Sequence, residues 1–248
     1  MIFMTENKEN DMEWENDELK ATVPFSAAGI SSTIVLYSKF TGKMMLLDAG
    51  DGTTRDLLDI YGNRIVNEID VIAFSHGHFD HMGGLYTLLG YMRMMGRTLP
   101  LNILIPKGCK EVEEIVTFFR SNYRESLPFD IWYHELFDGS GFDTDFFKTR
   151  AFEVKHYGLE NITEDDIFMP ALGYRIRIGQ SIVAYSGDTR HCDSLEAGVR
   201  GADIAIIEAT HLEMPETKRR VHLCLEEAEK VGKLAKAYML IHRIPNYE

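Results

Sequence analysis

Residues 75–84 read Ser-His-Gly-His-Phe-Asp-His-Met-Gly-Gly and follow a mostly apolar run at residues 69–74. His76, His78, Asp80 and His81 thus fall within six positions at the end of a strand-like segment. Imidazole nitrogens and a carboxylate are ligands that a borderline cation such as Zn²⁺ prefers, and a tight loop after a strand aims them at one or two ions. Gly77 relaxes the backbone between the first two histidines, and Gly83 and Gly84 do so as the chain turns into its next element. The alternative, a polar loop of merely solvated histidines, leaves the close packing of four such groups unexplained.

Three later segments offer similar donors. His156 ends the strand-like run 151–155, Asp188 sits in Tyr-Ser-Gly-Asp-Thr after apolar residues 182–185, and His242 closes the run 238–241. Each lies just beyond a short apolar strand pattern, where loops gather at one edge of a sheet.

The spacing His-x-His-x-Asp-His resembles that of the metallo-β-lactamase superfamily. Within it, further motifs are similar to those of ribonuclease Z and its phosphodiesterase relatives. Asp48-Ala-Gly-Asp-Gly-Thr-Thr-Arg55 resembles an early glycine-rich segment, and Gly187-Asp-Thr-Arg-His-Cys192 a Gly-Asp-Thr-Arg-x-Cys motif. Glu208-Ala-Thr210 and His242-Arg-Ile-Pro-Asn-Tyr247 resemble two more, so the likeness runs over roughly residues 25–247. The histidine cluster alone specifies the superfamily; the later motifs narrow it.

The resemblance implies a site with two divalent metal ions. It assigns His76, His78 and His156 to one ion, Asp80, His81 and His242 to the other, and Asp188 to both as a bridge. Zinc is the default, although manganese or iron suits similar shells. Two cations roughly 3.5–4 Å apart hold a shared water, lower its pKa and stabilise both oxygens of an in-line displacement. A bridging hydroxide would then attack phosphorus or a carbonyl carbon, with Asp80 orienting it or taking its proton. His222, where the family carries His-Ser-Thr, is the implied catalytic histidine at the leaving oxygen, oriented by Glu208. This chain has His222-Leu-Cys224 there, and a helix-capping or surface histidine is the alternative. His134, His191 and His211 carry no assigned role: His191 is read as an exposed or supporting residue, His211 as a local substitution for an aromatic.

The implied activity is a metal-dependent phosphodiesterase acting on RNA 3′ ends or on a smaller phosphodiester. Hydrolysis of another ester, a thioester or a lactam is the runner-up, and metal binding without turnover a third reading. Ribonuclease Z enzymes usually carry a long arm that grips transfer RNA, commonly between the positions matching His156 and Asp188. Here 31 residues separate the two, and residues 160–166 among them are acidic. The net charge of −13 supplies no broad basic surface for nucleic acid. Arg190, Lys218, Arg219, Arg220 and Arg243 either line a phosphate-binding face or are scattered solvated charges. A homodimer is a further implication of the resemblance.

A chain of 248 residues with 45% apolar content buries a sizeable core, and no linker separates the motifs, so residues 21–248 are expected to form one catalytic domain. Residues 1–20 carry a net charge of −5 and read as a poorly ordered leader or a first edge strand. No signal-peptide pattern and no run of about 18 apolar residues is present, which points to the cytoplasm. Cys109, Cys192 and Cys224 lack a pairing pattern and read as reduced thiols.

Periodicity predicts strands at 33–37, 43–48, 69–74, 101–105, 129–133, 151–156, 172–178, 181–185, 202–207 and 238–241, with helices at 82–95, 110–121 and 223–236. Met82, Met92, Met94 and Met95 are expected on a helix face packed against the core. Pattern alone gives a mixed α/β protein. The resemblance implies a four-layer αββα sandwich, metallo-β-lactamase-like, with the site at one edge.

Overall fold

The computed structural model describes residues 12–157, 169–215 and 221–245. Two sheets form the centre. The first holds β1 (Met12–Glu15), β2 (Leu19–Ala27), β3 (Ser31–Ser38), β4 (Met44–Leu47), β5 (Ile69–Ala73), β6 (Leu101–Pro106) and β7 (Ile131–Leu136), side by side in chain order. It is antiparallel from β1 to β4 and parallel from β4 to β7. The second holds β8 (Gly141–Asp143), β9 (Lys148–Glu153), β10 (Leu172–Ile178), β11 (Ser181–Tyr185), β12 (Ile204–Glu208) and β13 (Tyr238–Ile241), parallel only from β11 to β13.

Side-chain alternation builds the layers. Along β4, Met44 and Leu46 enter a core shared with helices, while Met45 and Leu47 enter a second core facing the other sheet. β12 does the same in mirror fashion: Ile204 and Ile206 face the first sheet, and Ala205 and Ile207 face helices on the far side. A strand buried on both faces reads as a continuous apolar run, which is why Met-Met-Leu-Leu and Ile-Ala-Ile-Ile stood out. The outer layers are α1 (Thr53–Tyr61), α2 (Ile65–Glu68), α3 (Phe79–Met82), α4 (Leu85–Met94) and α5 (Lys110–Asn122) on one side, and α6 (Asp193–Val199) and α7 (Leu225–Gly232) on the other. The result is the αββα sandwich. Leu46 and Ile206 are fully buried, so truncating either to alanine costs about 2–5 kcal/mol.

Several expectations need correction. The helix expected over 82–95 is split by Gly83 and Gly84 into α3 and α4. Met82 and Met92 pack into the core, but Met94 and Met95 are 69% and 42% exposed, because α4 ends there. The helix expected from residue 223 begins at Leu225, since Cys224 takes the capping position and receives the Glu227 side chain on its backbone N–H. Met12–Glu15 is the edge strand of the first sheet, one of the two readings of the N-terminal segment, and β2 begins at Leu19; residues 1–11 lie outside the described residues. All three cysteines are free. Among the described residues no helix is long and apolar enough to cross a membrane.

Candidate metal centre

The parallel strands bring their C-terminal ends to one edge, where the two sheets meet. Asp48 follows β4, His76 to His81 follow β5, Asp188 follows β11, Glu208 ends β12 and His242 follows β13. His156 arrives from the loop after β9. The ligand atoms of His76, His78, His156 and Asp188 lie within 4.8 Å of one another, as do those of Asp80, His81 and His242.

Distances inside these groups are those of atoms around a shared point. His78 Nδ1 is 3.0 Å from His76 Nε2 and 3.1 Å from His156 Nε2. His242 Nε2 is 3.2 Å from His81 Nε2 and 3.3 Å from Asp80 Oδ2. Asp188 Oδ2 faces both groups, 3.7 Å from His76 Nε2 and 3.3 Å from His81 Nε2.

The opposite ring nitrogens decide which atoms carry lone pairs. His81 Nδ1 donates to Asp48 Oδ2 at 2.7 Å, and His156 Nδ1 to the Val221 carbonyl at 3.0 Å. Ser75 Oγ donates to Asp48, so it accepts from His76 Nδ1 at 2.9 Å. Thr210 Oγ1 donates to Glu208, so it accepts from His242 Nδ1 at 2.9 Å. In their neutral forms all four rings therefore point an unprotonated Nε2 inward. The inward Nε2 lone pairs of His81 and His242, 3.2 Å apart, repel unless a cation or a proton lies between them. The donor set fits two divalent cations.

Charge gives the same answer. Asp48, Asp80, Asp188 and Glu208 are all buried, and their ion-pair partners among the described residues are histidines. Buried carboxylates need compensating positive charge. Burial opposes a charge on His81, but Asp188 and Asp48 on its two sides outweigh that and raise it well above the ordinary histidine value. Burial presses His76 well down and His156 down to about 4, which keeps both neutral. Burial works against the Asp80 anion, yet the His242 hydrogen bond and the His81 charge bring Asp80 down to about 2. Without metal, the His81 proton takes a cation's place.

His222 and Glu208 meet beside these groups. His222 Nδ1 is 3.0 Å from Glu208 Oε1, and its ring centroid lies 5.2 Å from that of His156 and 5.5 Å from that of His242. Glu208 also accepts from Thr189 N–H and from both Thr210 donors. Burial disfavours the imidazolium of His222, but the charge and hydrogen bond of Glu208, with Asp188 behind, raise it to about 9. The substituted Leu223 and Cys224 leave this pairing intact; both are buried, and Cys224 caps α7.

Backbone strain concentrates here too. Among the described residues, Asp48 (φ 60°) and His242 (φ 59°) are the non-glycine positions with positive φ. Left-handed backbone costs an L-residue roughly 1–2 kcal/mol, and such cost is tolerated where surrounding structure enforces it. Gly50 and Gly84 permit a second enforced contact. A β-carbon on Gly84 would strike the Gly50 carbonyl, and one on Gly50 the Asp80 carbonyl. The loop after β4 thus packs backbone to backbone on α3, with Ala49 N–H donating to the His81 carbonyl at 2.7 Å. That contact fixes Asp80 and His81.

Sequence reasoning missed the roles of Asp48, Ser75, Thr210 and the Val221 carbonyl. Asp48 and Thr210 stood inside quoted motifs at strand ends, the signal that would have found them; a backbone carbonyl leaves none. His134 lies away on β7, bonded to Asn102 and stacked on Phe142. His191 pairs with Glu196 of α6 at 2.9 Å, and the His211 ring sits 5.9 Å from His222. Lys218, Arg219 and Arg220, the acidic stretch 160–166 and the end of the C-terminal motif lie outside the described residues. Arg190 stacks its guanidinium 5.6 Å from the Tyr157 ring, and Arg243 is exposed beside His242.

Residues 45–242 match the family described as the β-lactamase superfamily domain, and the chain belongs to that family. Within it the sequence is similar to ribonuclease Z. The ribonuclease Z of Pyrococcus abyssi is 29% identical over 249 aligned positions, covering 84% of this chain and 80% of the relative. Among solved structures, human tRNase Z, short form, superposes with a TM-score of 0.74 at 23% identity, covering 90% of this chain and 92% of the other. The metallo-β-lactamase fold protein YhfI from Bacillus subtilis gives 0.72 at 20% identity, covering 94% and 89%. These two share the fold.

Proposed function

We propose that this chain is a metal-dependent phosphodiesterase working with two zinc ions. The observation that carries the reading is one arrangement: two donor groups facing a common Asp188, with His222 standing against both. The similarity to ribonuclease Z supports the choice of a phosphodiester over a carboxylic ester, thioester or lactam.

Bound cations would supply an activated water and positive charge for the phosphoryl oxygens. The protein's own groups do the rest. In the metal-free protein Glu208 and Asp188 outweigh burial and raise His222 to about 9, so the pairing with Glu208 favours its imidazolium. Its Nδ1–H is committed to Glu208, which leaves Nε2–H to donate to the departing oxygen. Asp80, ionised and fixed by Gly29 N–H at 2.7 Å, holds its carboxylate toward the second group.

A compact substrate suits this chain better than the body of a transfer RNA. The alignment with the Pyrococcus abyssi enzyme spans 249 positions but takes in 84% of 248 residues, about 208, so the relative has about 40 residues in that span without a counterpart here. Residues 157–171, which join His156 to β10, are too few for a long gripping arm.

The test is hydrolysis of bis(p-nitrophenyl) phosphate beside a 3′-extended precursor transfer RNA by zinc-loaded protein. Turnover of the small diester with little cleavage of the RNA is the expected result. Efficient cleavage of the RNA would restore tRNA processing as the natural reaction. Inactivity on both, with two metals bound, would overturn the phosphodiesterase reading.

A further inference from the structure

We propose that His211 is a specificity residue of the metal centre: its imidazole contacts the departing alcohol and reads a hydroxyl on the carbon next to the departing oxygen, as a ribose 3′-oxygen or a glycerol oxygen has. The inference rests on the phosphodiesterase reading above and deepens it on the leaving side of the substrate. The His211 ring stands T-shaped against that of His222, 5.9 Å between centroids and 73° between planes. Local structure holds it there. Its N–H donates to the Leu223 carbonyl at 3.2 Å, and its carbonyl accepts from Leu225 N–H at 2.8 Å. This parallel bridge sets His211 beside Cys224. In extended chain, bridged residues and residues two apart share a face, which puts His211 on the side of His222.

The site opens on this side. His76, His81, His156 and His242 are buried, whereas His78, His222 and His211 are partly exposed, and Leu212, next in the chain, is 71% exposed. An alcohol expelled past His222 therefore leaves along His211. The ring is also uncommitted. It belongs to neither donor group, and among the described residues neither of its nitrogens has a hydrogen-bond partner. His134 and His191, the other two histidines without a place in the centre, each have one.

The chemistry of the ring selects what it reads. Burial and the charge of His222 lower His211, with Glu208 opposing them, so at neutral pH the ring offers one N–H donor and one bare nitrogen. An imidazolium would offer two donors and suit an anion. A neutral ring suits a hydroxyl, which likewise donates one hydrogen bond and accepts another. A site that bonds a substrate hydroxyl disfavours the analogue without it, because the ring nitrogens are then covered and left unpaired.

Monophosphates test the contact by binding alone, since they carry the departing oxygen. Zinc-loaded protein is titrated calorimetrically with uridine 3′-phosphate beside 2′-deoxyuridine 3′-phosphate, and with glycerol 1-phosphate beside 1,3-propanediol monophosphate. We expect the member with the neighbouring hydroxyl to bind roughly tenfold tighter in at least one pair. Preference in the ribose pair alone would support a nucleotide as the source of the alcohol, and in the glycerol pair alone a glycerol ester. His211→Phe keeps a ring, removes both nitrogens and should bring the ratio toward one; His211→Gln retains a donor and an acceptor and should keep part of it. A residue acting only through packing would move both members alike and leave the ratio. The proposal is overturned if no monophosphate binds, if both pairs bind equally, or if His211→Phe keeps the ratio. Hydrolysis of bis(p-nitrophenyl) phosphate is followed in parallel. Turnover with equal binding overturns this proposal alone, whereas a ratio that depends on His211 without turnover overturns the phosphodiesterase reading and supports the contact.

Discussion

Asp48 Oδ2 lies 2.7 Å from His81 Nδ1 and accepts Ser75 Oγ and Tyr185 OH as well. The carboxylate holds the ring's orientation and directs its other nitrogen at Asp188 and His242. Asp48→Asn keeps the side chain's shape and tolerates the left-handed backbone, but removes the charge. Metal affinity should fall roughly 10–100-fold, with the fold retained. Competition against a chromogenic chelator measures this; unchanged affinity would reduce Asp48 to a packing role.

His222 and Glu208 predict a separable catalytic effect. His222→Ala should lower kcat by roughly 10²–10⁴ with both metals still bound, as read by elemental analysis alongside rate. In the metal-free protein the ring should titrate near 9, and Glu208→Gln should bring that value down, visible in histidine ring resonances. The sign follows from the raised value: the pairing's stabilisation is complete below the unfolded value near 6.5 and is lost as pH rises through about 9. A ring that titrates near 6.5 in both proteins would contradict the pairing.

Thiol reactivity separates the cysteines. Burial pushes the Cys109 thiol up to about 12, while Cys192 is half-buried. Iodoacetamide at pH 8 should label Cys192 alone in the folded protein, and Cys109 and Cys224 only after unfolding, as peptide mass mapping would show. The raised Cys109 value also means that stability falls as pH climbs from about 9 toward 12, since the unfolded thiol ionises first. Fast labelling of Cys109 would mean that the core around α5 opens readily.

Much of the layered core was readable from its apolar patterns, alternating along the antiparallel β10 and nearly continuous in β11 and β13, which pair in parallel with β12; all three match their expected ranges residue for residue. β2 was not. Pro24 interrupts its pattern and lies within a register shift between Thr22 and Phe25, where a missing N–H does least harm. α1 starts at a left-handed Gly52 with no side-chain cap, and α6 has seven residues, so neither announced itself. At the site, ligand-type residues were visible as chemistry at strand ends. Their supports depend on tertiary approach: Val221 comes to His156 across 65 positions and Asp48 to His81 across 33.

The close approach of Gly50 and Gly84 makes a final prediction with a built-in control. Gly84→Ala would drive a β-carbon into the Gly50 carbonyl, which is backbone and cannot turn aside, and bring it within 3.1 Å of the Ala49 carbonyl. Relief requires moving either the loop after β4 or the start of α4, and with it His81, whose carbonyl is bonded to Ala49. The variant should lose about 1–3 kcal/mol of stability and bind zinc more weakly. Gly90→Ala, in the middle of α4, meets nothing within 4 Å and should gain about 0.8–1 kcal/mol from helix propensity. Urea unfolding with and without zinc measures both. Equal effects from the two substitutions would show that helix propensity, rather than the backbone contact, governs position 84.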